Sequence, residues 1–160
     1  MTRAAAPLRR LSSSTARELR DLQDAVRAAV EGFVELTRVD PCAPILWGVL
    51  IDQAEDLRRK LRDATRDAYG LLLVLRGGQM PDLQVVLAAA AAASSLDAAT
   101  HAISPLATGL REDDRLPGIA QASLLVTGRF LPTAASALDE VAVLLADGRT
   151  AGTGSCEGTD

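Results

Sequence analysis

One apolar register dominates the chain, and few folds accept it. From Trp47, apolar side chains recur at Leu50, Ala54, Leu57, Leu61, Ala64, Ala68, Leu71 and Leu75, alternately three and four residues apart. This is the a/d seam of a helix held through four heptads, a pattern that a strand of period two cannot keep on one face. The far side mixes signs, with Glu55, Asp56, Arg58, Arg59, Lys60, Arg62 and Asp63. Glu55–Arg59 and Asp56–Lys60 stand i, i+4 with the acid first, an orientation worth about 0.2–0.5 kcal/mol per pair. Pro44 suits the first turn of this helix, where its missing N–H costs nothing. Arg76-Gly77-Gly78 closes it with a cation and C-terminal glycines.

Three weaker patterns flank it. Ser12, Ser13 and Ser14 offer N-caps to a seam at Leu19, Leu22, Val26, Ala29, Phe33 and Leu36, which ends near Val39 before Asp40-Pro41. Pro81-Asp82 opens a third segment whose register, Val85, Ala89, Ala92, Leu96, Ala99, Ile103 and Leu106, passes through six consecutive alanines, 88–93. Pro105 is expected to kink or end it. After a charged loop from Gly109 to Gly118, a fourth segment starts near Pro117 with Ile119, Ala122, Val126 and Phe130. It is expected to break at Pro132, resume through Ala137, Val141 and Leu144, and stop at Asp147-Gly148. No alternating pattern competes. The chain is therefore read as all-α, an antiparallel (up-down-up-down) four-helix bundle with kinked third and fourth helices and disordered termini. Residues 1–11 form a loose arm, 12–147 the bundle and 148–160 a polar Gly/Thr tail.

At 160 residues the chain suits one domain. Sixteen Arg stand against a single Lys, Lys60, and alanine is abundant. GC-rich codons produce that skew, so a bacterial origin is expected and the Arg bias is not evidence for phosphate binding. The longest uncharged run, Leu83–Leu96, is fourteen residues, short of the roughly 20 apolar residues of a spanning helix, so no membrane span is expected. The N-terminal stretch has no apolar core of a secretory signal, which places the chain in the cytoplasm with Cys42 and Cys156 as free thiols. The first twenty residues carry net charge +4 and residues 112–160 carry -5. Without interleaved aromatic residues this asymmetry suits docking of an arm on an acidic surface better than nucleic acid, and no nucleic acid is expected.

Most site chemistries lack their parts. Asp97 and His101 stand i, i+4, but His101 is the only histidine and no Glu-x-x-His pair exists for a di-iron centre. His101 and Met80 lie ~30 Å apart along a helix axis, too far to share a haem. Gly77-Gly78 follows no strand and precedes no Lys-Ser/Thr, so it is no phosphate cradle. There is no G-x-S-x-G elbow either. A catalytic thiol needs a partner that lowers its pKa, and none adjoins Cys42 or Cys156 in sequence. No cofactor, metal or catalytic residue is assigned.

The remaining pattern suits association. Narrow coiled-coil seams and a third segment apolar nearly all round call for cover beyond three sister helices. The expected function is a non-catalytic protein–protein interaction module. Its partner is a second copy (a homodimer) or another helical protein, met through Trp47, Ala89, Ala92 and Phe130. The alternative is a small-molecule-binding or sensory bundle, with an apolar pocket at His101, Pro105 and Pro132 where kinked helices splay.

Overall fold

A computed structural model describes residues 13–78, 82–109 and 113–158. Helix α1 spans Ser13–Thr37, a 3-10 turn Pro44–Leu46 leads into α2, Trp47–Arg76, and then come α3, Leu83–Ala107, and α4, Leu116–Gly158. Each helix packs on its neighbours in sequence, and α4 closes on α1, so the four surround one core. The α1–α4 pair is antiparallel: Gln23 Nε2 donates to Asp139 Oδ1 at 3.1 Å, whereas Phe33, further along α1, lies over Gly128, earlier in α4. The all-α bundle expected from the periodicity is the fold observed. The arm, residues 1–11, lies outside the described residues.

The seams account for the core. Every seam position of α1 and α2 is buried except Phe33 and Trp47, which are half-buried against it, and all seven of α3 are buried. Leu22, Leu36, Leu50, Leu57, Leu61, Leu96, Ile103 and Leu138 are among the largest fully enclosed side chains. Fully burying each is worth about 1.5–3 kcal/mol. The Asp82 carboxylate caps α3, accepting from the N–H groups of Gln84 at 2.9 Å and Val85 at 3.4 Å, which satisfies donors otherwise orphaned in the first turn.

The fourth helix departs from the expected register. Its buried positions are Leu116, Ala120, Ser123, Thr127, Leu131, Ala134, Ala137, Leu138, Val141 and Leu145. Up to Phe130 they run one residue out of step with the apolar series through Ala122, Val126 and Phe130, whereas Ala137 and Val141 are buried as expected. Ser123 and Thr127 read as surface by type. Thr127 is nonetheless fully enclosed, because its hydroxyl donates to the Ser123 carbonyl at 2.6 Å and so needs no water. Gly128 lacks the side chain that the Phe33 ring would meet, since a Cβ there would lie 3.1 Å from Phe33 Cζ.

Nor does Pro132 interrupt α4, which runs through it without a break. The proline forgoes a bond to the Gly128 carbonyl. Thr127 and Thr133 each donate to the carbonyl four residues back, local bonds that accompany helix bending. Pro105 lies in the last turn of α3, which closes two residues on through Thr108 N–H to the Ser104 carbonyl at 2.9 Å. Helical backbone continues to Gly158, past the expected stop at Asp147-Gly148. Propagation adds one bond per residue once a helix is nucleated.

Candidate interaction surface

Ala89 and Ala92, seam positions of α3, are 2% and 0% exposed and face the bundle's own core. They are already covered. The outward stripe of α3 passes instead through Leu83, Leu87, Ala91 and Ser94. Leu83 is 69% exposed and Leu87 59%. Between Asp82 and Asp97 no charged side chain breaks this stripe.

The α2 flank extends it. The Thr65 and Thr100 hydroxyls meet at 3.2 Å between α2 and α3. In an antiparallel pair, eight residues on from Thr65 is level with eight back from Thr100, so Leu73 stands beside Ala92. Leu73 and Tyr69, one turn earlier, are both exposed and extend the strip onto α2, where exposed Arg66 and Arg76 stand three residues before Tyr69 and three after Leu73.

The other expected site residues are spread over the molecule. Trp47 is half-buried, and its indole Nε1–H donates to the Pro41 carbonyl at 2.9 Å. It braces the α1–α2 connection. Phe130 is half-buried against the core. His101 is exposed on α3, its Nδ1 2.8 Å from the Asp97 carbonyl and 3.5 Å from the Asp97 carboxylate. Pro105 and Pro132 are exposed on α3 and α4.

Two cavities lie elsewhere. A crevice of about 220 Å³ follows the α1–α4 seam beside Gln23 and Asp139. A groove of about 650 Å³ opens where the α1–α2 connection meets the start of α4, lined by Val39, Pro41, Cys42, Gln121, Leu124 and Leu125. Neither is lined by His101, Pro105 or Pro132.

Charged side chains form local pairs. Glu55 binds Arg58, at 2.9 and 3.0 Å, rather than Arg59. The Arg58 guanidinium holds the Glu55 carboxyl below its usual range, because a hydrogen-bonded cation favours the charged form. Asp56–Lys60 forms as expected, at 3.2 Å. At the start of α4, Asp113 accepts from Arg115 Nε and Nη2, both at 3.1 Å, and from the Arg115 backbone N–H at 2.9 Å. These bonds, the guanidinium's first, lower the Asp113 pKa.

Among the described residues no three His, Cys, Asp or Glu side chains gather closely enough to hold a metal ion. By length and composition alone, the 25-residue α3 could cross a membrane, and 44% of its most apolar window is buried inside the bundle. The chain matches no known protein family, no curated protein and no solved structure.

Sequence reasoning overlooked the Leu83–Leu87 stripe although the signal was present. Once Val85, Ala89 and Ala92 are assigned to the seam, positions 83, 87 and 91 fall on the opposite side of a 3.6-residue helix. The alanine run drew attention to its own middle, where the seam also passes.

Proposed function

We propose that the protein is a non-catalytic association module whose working surface is the outer face of α3 with its α2 flank, and whose partner is a second copy. The observation that carries this reading is the exposure of Leu83 and Leu87, 69% and 59%, on a stripe without charge. Scaled by exposure, covering each leucine is worth about 1–2 kcal/mol. Four across a two-fold contact supply about 4–8 kcal/mol, of the order of the ~4–15 kcal/mol that association costs. Leu73 and Tyr69 supply the surplus, a few kcal/mol at most, which makes the pairing weak, with micromolar as its tight limit. On this reading α3 is a helix of the bundle covered on its outer face by a second copy, in a cytoplasmic setting.

Light scattering of the wild type and of Leu87→Glu tests this. Losing both copies of Leu87 removes about 2–4 kcal/mol, so the dimer should weaken by roughly 30- to 700-fold with the melting temperature nearly unchanged. Equal masses for the two proteins would refute the assignment.

A second reading rests on the groove of about 650 Å³, within the range of small-molecule sites. It suits an apolar ligand that offers one hydrogen bond to Gln121. Anilinonaphthalene sulfonate bound there should be lost in Leu124→Asp and kept in Leu87→Glu.

A further inference from the structure

Resting on the association reading, we propose that two copies pair α3 against α3 in antiparallel fashion, crossing at Ala90 and Ala91. Leu87 of each copy then sits over Ser94 of the other, and Leu83 over Ala98.

The argument starts from where bulk lies along the face. Its N-terminal half presents Leu83 and Leu87, both largely exposed, and its C-terminal half presents Ala91 and Ser94, exposed, and the half-buried Ala98. Parallel pairing stacks leucine on leucine at one end and leaves a gap between small residues at the other. Antiparallel pairing about the midpoint of Ala90 and Ala91 sets 83 against 98 and 87 against 94, large onto small at every level, as close packing requires. At the crossing only alanines meet, so the backbones can approach closely.

A two-fold contact needs knob and hole on one patch, and this patch holds both. Another helical protein has no such requirement, so the arrangement favours a second copy. No ionised side chain lies between Leu83 and Leu96, so the crossing itself meets no charge; Asp97, half-exposed at the end of the contact, lies 3.5 Å from His101 on its own helix.

Area sets a further condition. The stretch 83–98 rises about 22 Å, and one helix of ~10–12 Å diameter offers roughly 500 Å² over both copies, below the about 1,000 Å² of a specific interface. A second helix on each side doubles the width and reaches that threshold. The Thr65–Thr100 register supplies it, because Leu73 stands level with Ala92, within a turn of the crossing. The two-fold brings the Leu73 side chains of both copies together.

Disulfide trapping in the full chain tests the register, on a background of Cys42→Ser and Cys156→Ser. A mixture of Leu87→Cys and Ser94→Cys proteins should cross-link into a mixed dimer, and Ala91→Cys should cross-link to itself. Leu87→Cys alone should link at least about tenfold more slowly, because antiparallel crossing keeps those two backbones beyond the ~7 Å limit for a disulfide. Fast self-linking of Leu87→Cys without the mixed product means parallel pairing and overturns the proposal. A dimeric mass with none of these cross-links places the contact on another face and overturns it as well. A monomeric mass for the uncross-linked background protein instead removes the association reading itself.

Discussion

Two neighbouring alanines should respond in opposite ways to the same substitution. Ala92 is 0% exposed, whereas Ala91 lies on the outer stripe. Ala92→Glu forces a carboxylate and one extra methylene into a close-packed space. The overpacking costs about 1–3 kcal/mol, and an unpaired buried charge adds several more. Together these reach about 4–8 kcal/mol, comparable with the whole ~5–15 kcal/mol stability of a domain. At roughly 2–4 °C per kcal/mol for a chain of this size, the melting temperature should fall by more than about 10 °C, or the protein should not fold. Ala91→Glu adds a solvated side chain to a helix surface and should change stability by less than about 0.5 kcal/mol, while shifting the molecule toward monomer. Thermal melts followed by circular dichroism, paired with light scattering, separate the outcomes. A wild-type melt for Ala92→Glu would refute the orientation of α3, and with it the division between core stripe and free stripe.

Three further outcomes follow from the structure. Gln53 Oε1 is buried with no hydrogen-bond partner among the described residues, so Gln53→Met, which removes an unsatisfied acceptor at similar volume, should raise the melting temperature by a few degrees, about 1 kcal/mol. Asp113 has its pKa lowered by Arg115, so its contribution is complete above the ordinary carboxylate range and fades as pH falls through the depressed value. In melts from neutral pH to strong acid, the wild type should therefore exceed Asp113→Asn at neutral pH and converge with it below that range; a gap that persists in acid contradicts the pairing. Residues 148–158 hold four glycines, each costing a helix about 1 kcal/mol relative to alanine, so deleting 148–160 should move the melting temperature by only a few degrees.

The first three helices were legible because their cores are built of side chains that are apolar by type, and a 3–4 alternation then has one solution. The fourth was legible in phase after Pro132, where Ala137 and Val141 are buried, but not before it. Its core register passes through Ser123 and Thr127, and only the Thr127–Ser123 hydrogen bond makes a buried threonine affordable. Pro132 was read as a break because proline removes one bond, yet a long helix packed along its length carries that loss. Glu55 chose Arg58 over Arg59 through side-chain rotamers, which spacing does not encode. The candidate surface was half legible. The excess of apolar area on α3 could be read from the residues, but alanine looks the same whether it serves the core or the outside. Burial separates Ala89 and Ala92 from Leu83 and Leu87.

Sedimentation equilibrium of the unmodified chain across about 1–100 µM tests the central claim most directly. The association account expects a mass approaching twice 16.7 kDa at the upper end, returning toward a single copy in Leu83→Glu/Leu87→Glu. A wild type that stays at 16.7 kDa throughout would contradict it.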